Sequence, residues 1–455
     1  MTTTLNTASG VRGLTSTTPG KLRLGMALVF LLAVGFAIGG YLGVTAARSS
    51  LNTIARDAVP SIVTAQTVRV KLLEMDALAT QEFLAGGADS GAAARQRYET
   101  VRRELGEQLT SAAMNISFGR EEQTAIEQLM NHVTVYTGMV ESARTNNRMG
   151  YPVGAAYLRM ASVMLHDTML PLTQSIDQLN VRQLDSEYAS FKSGTMMRFA
   201  LIGGGGAALL LVLCYMQLFL SKRMRRTFNA PLVAASALVV AVTGYSVVSM
   251  GWAGGHLSSA REQSFASAYN WLTARGTAYD TKTDQSLYLI ALGAGARYET
   301  SMKDKVARLA PSDLTQEMIF QASRGNVAFQ GLFANELAAT PAGSPERQQV
   351  VTALTALRSY LEQDARIRSF DKGGRRQEAV NLALGNGTTE AQQAFDNFTE
   401  VLSVNLGRAQ ANFDASIASA EGNLRFLDWA FVLIAMLVAA LTYFGLTPRI
   451  NEYRV

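Results

Sequence analysis

Residues 199–260 read FALIGGGGAALLLVLCYMQLFLSKRMRRTFNAPLVAASALVVAVTGYSVVSMGWAGGHLSSA. Two apolar runs, Phe199–Ser221 and Thr227–Ala260, hold 23 and 34 residues without Asp, Glu, Lys or Arg. Each exceeds the roughly 20 residues that a helix needs to cross about 30 Å of hydrocarbon. Between them stand Lys222, Arg223, Met224, Arg225 and Arg226, four cations in five residues. The Lys and Arg bias that orients membrane spans puts this loop on the cytoplasmic side. The stretch therefore reads as a membrane hairpin with an inside turn.

Two more uncharged runs, Leu24–Ala47 and Trp429–Pro448, bring the spans to four. The low overall charge of 17% then has an address: outside the 101 residues of the runs, charged residues make up about 22%. That is close to an ordinary soluble domain. Arg12, Lys21 and Arg23 precede the first span, and Arg449 and Arg454 with Glu452 follow the last. With the loop, these flanks hold nine basic residues and one acidic, so the net charge of +5 divides into +8 inside and −3 elsewhere. Basicity of this kind is topological and argues against nucleic acid as a partner.

The expected order is a cytoplasmic tail (1–23), a span (24–47), an extracytoplasmic segment (48–198), a span (199–221), the basic loop (222–226), a span (227–253), a second extracytoplasmic segment (254–428), a span (429–448) and a cytoplasmic tail (449–455). The first run is too long for a signal-peptide core and reads as an uncleaved anchor in the cytoplasmic membrane. The cytoplasmic pieces are too short for a kinase or cyclase domain. Cys214 is the one cysteine, so no intrachain disulfide forms, and His132, His166 and His256 lack metal-ligand spacing. No cofactor or metal is expected. No nucleophile elbow, phosphate loop or zinc-protease helix occurs, and the chain does not read as an enzyme.

In the first extracytoplasmic segment Ile54, Ala58, Ile62, Ala65, Val68, Leu72, Met75 and Ala79 recur at helical spacing. That helix should stop at Gly86-Gly87, with further helices at about 91–113, 119–147 and 151–197. Pro60 and Pro171 should bend the long helices. The second segment repeats the plan, with Gly293 to Gly295, Pro311-Ser312, Thr340 to Pro345, Gly373-Gly374 or Gly385 to Gly387 as connections and a helix start at Pro311-Ser312-Asp313. Arg97-Tyr98-Glu99-Thr100 recurs as Arg297-Tyr298-Glu299-Thr300, and Asp76, Leu84 and Gly87 match Asp284, Leu292 and Gly295. The expected fold class is all-α: four transmembrane helices carrying two extracytoplasmic four-helix-bundle domains, a tandem duplication.

Leu72-Leu73-Glu74-Met75-Asp76-Ala77 followed by Phe83-Leu84-Ala85-Gly86-Gly87 resembles the first exterior helix of chemoreceptor-type four-helix-bundle sensors. Asn146-Asn147-Arg148-Met149-Gly150-Tyr151-Pro152-Val153-Gly154-Ala155-Ala156-Tyr157-Leu158-Arg159, with the ending Arg449-Ile450-Asn451-Glu452-Tyr453-Arg454, resembles an actinobacterial family of four-span membrane signalling proteins. The resemblance implies two partners besides the bilayer: an extracytoplasmic glutamine-type solute-binding lipoprotein and the cytoplasmic Ser/Thr protein kinase G. It implies a relay of amino-acid availability from the lipoprotein to the kinase. The second segment lacks the Pro-Val-Gly-Ala-Ala-Tyr stretch, so the two segments are expected to differ in job.

Tyr151 and Pro152 read either as a helix restart or as a partner contact. Arg95, Arg97, Arg102, Arg103 and Arg297 read either as a solvated charge face or as a grip on an anionic ligand or partner, because guanidinium holds carboxylate in a fork. Lys222, Arg223, Arg225, Arg226, Arg449 and Arg454 are the candidate cytoplasmic output surface. The tail holds nine Ser or Thr in its first 20 residues, a solvated leader or a kinase target. A membrane scaffold without switching and a direct small-ligand sensor are the alternatives to the relay.

Overall fold

The computed structural model describes residues 17–86, 91–114, 119–224, 229–384 and 389–452. Arg225, Arg226, Arg454, most of the Ser/Thr-rich tail, and the expected turn residues Gly87 and Gly385 to Gly387 lie outside them. The described residues are almost entirely helical, with no strand among them. Contacts divide the chain into two compact units. One holds residues up to Ile54, Asp185–Ser259 and those from Ala415 onward, and the other holds Ala55–Leu184 and Ala260–Asp414.

The first unit is built on α1 (Thr18–Asn52), the later part of α6 (Leu170–Met224), α7 (Ala230–Ser259) and α15 (Leu427–Asn451). These carry the four stretches long and apolar enough to cross a membrane, the pattern of a multi-pass membrane protein. α15 packs on both α1 and α7. Gly40 of α1 lies so near Phe431 that a Cβ would stand 2.3 Å from its ring, and Gly25 meets Met216 of α6 as closely. Small residues permit such approach, as expected for spans. Gly43 and Gly205 also lie at the contact of the first two spans, whereas Gly35, Gly39, Gly203 and Gly204 face open space. Arg48 ties α1 to α15 through Asp428 at 2.7 Å and bonds the carbonyl of Leu424. Asn229 Nδ2 donates to the Gly445 carbonyl at 2.8 Å.

The second unit contains both segments between the spans. Its first half holds a π-helical turn π1 (Thr53–Ala58), then α2 (Val59–Ala85), α3 (Ala92–Met114), α4 (Arg120–Arg148), α5 (Val153–Met164), a second π-helical turn π2 (Leu165–Met169) and the start of α6. Its second half holds π3 (Ala260–Phe265), α8 (Ala266–Ile290), α9 (Ala296–Leu309), α10 (Gln316–Ser323), α11 (Leu332–Ala338), α12 (Pro345–Lys372), α13 (Arg376–Leu384) and α14 (Glu390–Leu424). α2 stops where expected: Gly86 takes a left-handed φ of 69° and its N–H returns to Phe83 O. α12 starts on Ser344, whose Oγ accepts from Arg347 N at 3.1 Å, with Pro345 in the first turn. Pro60 and Pro171 each stand two residues after the end of a π-helical turn. The missing N–H and the ring's clash with the preceding turn are met by widening the helix.

Two expectations differ from the structure. The helix start placed at Pro311-Ser312-Asp313 falls instead at Thr315, whose Oγ1 accepts from Met318 N. The two segments, expected as separate bundles, share one core that runs from Val68, Met75 and Leu105 to Leu272, Leu354 and Phe398. The reason lies in α2 and α8, which pack along each other. Leu72–Thr80 and Thr281–Ile290 are buried at every position, and a helix buried all round needs neighbours on more than one side.

Candidate functional site

A cavity of about 240 Å³ opens in the first half between α2, α3, α4 and the start of α6. Its inner wall is apolar, from Val68, Leu109, Ile126 and Leu129. Its polar lining is Ser61 and Thr64 of α2, Ser111 of α3, buried Glu122 of α4 and Thr173 of α6. Arg56 and Asp57 of π1 form part of the wall, so anything bound there touches the π-helical turn itself. The volume equals about eight waters at roughly 30 Å³ each, room for a small polar metabolite rather than a large ligand. Hydroxyls with both signs of charge suit a molecule that carries charged groups of its own.

A second polar constellation lies in the core where the two halves meet. Asp76 of α2 accepts from Tyr136 Oη at 2.9 Å and from Ser162 Oγ at 2.8 Å. His166 of π2 reaches across to Asp280 of α8 at 2.8 Å, its other ring nitrogen lying 2.8 Å from Ser162 O. Lys305 of α9 bonds Asp280 at 2.8 Å and Asp284 at 2.6 Å. Burial presses His166 toward neutrality, but the hydrogen bond and charge of Asp280, with Asp76, prevail and hold its pKa up at about 9. Burial raises Asp280, yet His166 and Lys305 draw it down to about 2. Asp76 and Asp284 are raised, chiefly by burial. A second link joins the halves where Gln66 Nε2 donates to Tyr269 Oη and Tyr269 Oη donates to Asp177 at 2.8 Å.

The residues singled out from sequence scatter. Arg97 stands between Glu74 at 3.8 Å and Asp396 at 3.7 Å, Arg102 pairs with Glu99 at 2.9 Å, and Arg297 lies over the Tyr298 ring. Arg95 is half-buried and Arg103 exposed, and none of the five lines the cavity. Tyr151 and Pro152 form the restart between α4 and α5: Gly150 has a φ of 72° and Tyr151 N bonds Asn146 O at 2.9 Å. Gly154 is pressed against α4, where a Cβ would sit 2.9 Å from Ala143 O, while the Tyr151 ring stays exposed. Lys222 is exposed near the end of α6, Arg223 follows in its last turn, and Arg449 pairs with Glu452 at 2.6 Å.

Sequence reading missed Arg144 and Arg368. Arg144 of α4 is buried and forked onto Glu82 of α2 at 2.7 and 2.6 Å, with Glu141 and Glu99 beside it. Arg368 of α12 is buried too, with Asp364 at 2.7 Å and Glu299 at 3.9 Å. Each arginine follows a buried tyrosine by eight residues, Tyr136 and Tyr360. Their signal was an arginine in register with an apolar stripe, as in Tyr136, Val140, Ala143 and Arg144.

No curated protein and no solved structure matches the chain. Residues 50–189 match the family model described as an actinobacterial sensor domain, so the half that contains the cavity is similar to a sensor domain and supports a sensing role in a membrane-anchored protein.

Proposed function

We propose that this protein is a transmembrane relay: the second unit lies outside the cell, takes an amino-acid-availability signal from a solute-binding lipoprotein, and passes it to a cytoplasmic Ser/Thr kinase. The observation that carries the reading is the cavity, which lies in the sensor-like stretch and has a π-helical turn in its wall. The chain passes between the units at four places, two of them inside α6 and α14 and two at π-helical turns: Ile54–Ala55, inside π1, and Ser259–Ala260, at the start of π3. A π-helical turn carries an extra residue per turn, and losing it or moving it rotates everything beyond it. Occupation of the cavity favours one arrangement of π1 over another, provided the ligand or lipoprotein binds the two with different affinity. The two segments act as tandem copies. Supporting this are the π-helical turns that begin each of them and the Tyr and Arg pair, spaced alike on α4 and α12.

The test is site-specific crosslinking from Lys222 to the cytoplasmic kinase, with and without the exterior lipoprotein, in the native chain and in Ala112→Trp, which fills the cavity. The yield should change on adding the lipoprotein in the native chain and stay fixed in the variant. Equal yields under both conditions in the native chain would leave a scaffold without switching.

A further inference from the structure

The buried arginines of the two halves are paired differently. In the first half Arg144 is saturated: Glu82 takes Nε and Nη2, and Glu141 takes Nη1. Glu82 stands six residues after Asp76, and six residues after Asp284, the matching aspartate of α8, stands Ile290. The second half thus has no carboxylate in that position for Arg368. There Asp364 takes only Nε, Nη2 rests on the Met302 sulfur at 2.7 Å, and Nη1 has no hydrogen-bond acceptor among the described residues. A thioether is a weak acceptor, and a buried guanidinium left so costs free energy that a carboxylate would recover. The residue is only 9% exposed.

Beside it opens a groove of about 540 Å³ between α9 and α12, lined by Met302, Lys303, Ser312, Arg368, Ser369 and Lys372. Lys303 and Lys372 stand mostly exposed at its mouth. Glu299 lies among the three cations, 3.0 Å from Lys303, 3.2 Å from Lys372 and 3.9 Å from Arg368. Asp364 is already engaged by Arg368 and by Gln285 Nε2 at 2.9 Å. Three cations against two carboxylates leave one positive charge uncompensated.

We propose that this groove binds a small anion bearing a carboxylate or phosphate group, which takes the Nη1 and Nη2 edge of Arg368 and is closed over by Lys303 and Lys372. Met302, unbranched and flexible, swings aside to free the edge. Glu299 is the internal competitor, a tethered carboxylate that the ligand displaces from the lysines. The planar end of the guanidinium matches two oxygens of either group, which makes the site selective for such anions over chloride. The site is separate from the first-half cavity and does not depend on what that cavity binds.

The experiment is calorimetric titration of the full-length protein in lipid nanodiscs with succinate and with inorganic phosphate, each at constant ionic strength set with sodium chloride. Saturable binding of one of them is expected, the preferred anion identifying the group. Arg368→Met should weaken it at least tenfold, and Glu299→Gln should tighten it severalfold, a gain that a merely structural role for Glu299 would not produce. If Arg368→Met does not fold, Lys303→Gln with Lys372→Gln, both at exposed positions, should weaken binding by a similar factor. Absence of saturable binding of either anion to both the native chain and Glu299→Gln overturns the proposal, as does native affinity in Arg368→Met. Ala112→Trp should bind the anion normally, so failure here and failure of the relay are read separately.

Discussion

The two halves of the second unit both run from a π-helical turn into a long buried helix, α2 or α8, and differ in the connection that precedes α4 or α12. Between α3 and α4 the first half spends only residues 115–119, and a cavity remains between α2, α3, α4 and α6. Between α9 and α12 the second half spends residues 310–344, and that excursion folds α10 and α11. α11 packs on α8, α9 and α12. Its Phe333 is fully buried, 5.8 Å from the Trp271 ring, and its Glu336 accepts from Ser267 at 2.9 Å and Asn270 at 2.5 Å. The longer connection of the second half thus adds buried side chains to its core, Ile319, Phe333 and Leu337 among them.

The hardest way to break that contrast is to remove the ring that α11 buries. Phe333→Ala takes a large ring from a closed site and should cost about 3–5 kcal/mol. The readout is thermal unfolding of the purified protein in detergent. A loss below about 1 kcal/mol would mean that α11 sits on the second half without completing its core.

The arginines sharpen the same comparison. Arg144→Met leaves Glu82, nearly buried, without its partner, and breaking such a pair costs about 3 kcal/mol or somewhat more. Arg368→Met removes a guanidinium whose Nη1 has no hydrogen bond and whose Nη2 has only a thioether, so its loss should be smaller by about 1–2 kcal/mol. Parallel thermal unfolding of the two variants checks the order. Equal losses would show that Arg368 is as well satisfied as Arg144.

Much of this frame was legible in the letters because periodicity and punctuation are local. The apolar runs became α1, α6, α7 and α15, and Gly86, Gly150, Gly293, Pro345 and Gly373 all fell at connections or helix ends. The union of both segments in one core was not legible. It depends on α2 and α8 being buried on all sides, with Glu74, Asp76 and Asp284 inside, and carboxylates in a helix read as a solvated face until a partner is seen. For the same reason the exposed arginines drew attention while Arg144 and Arg368 did not: besides a carboxylate on its own helix, each is buried beside one from another helix, 60 to 70 residues away in sequence. α10 and α11, eight and seven residues long, are too short for a helical period to register. The cavity is assembled from residues of α2, α3, α4 and α6 that lie far apart in sequence, and no local pattern announces it.

The smallest effect, and the most specific to the seam between the halves, is one of pH. His166 belongs to the first half and Asp280 to the second, so the bond between them links the halves, and Lys305 of the second half holds Asp280 beside it. The folded pKa of His166, about 9, lies above the ordinary 6.5. Its contribution to stability is then fully present below about pH 6.5 and is lost as pH rises through about 9. Asp280, at about 2 against an ordinary 3.8, contributes above about pH 4 and loses that contribution only as pH falls through about 2. Asp76 and Asp284, raised by burial, act in the opposite sense, since their ionised forms cost stability that mild acid relieves. The seam is therefore tightest in mild acid and slackens on the alkaline side, where His166 alone of these groups changes charge near pH 9. His166→Asn should lower the melting temperature at pH 6, by a few degrees, and the gap to the native protein should close by pH 10. A gap of equal size at both pH values would mean that His166 joins the halves by shape and not by charge.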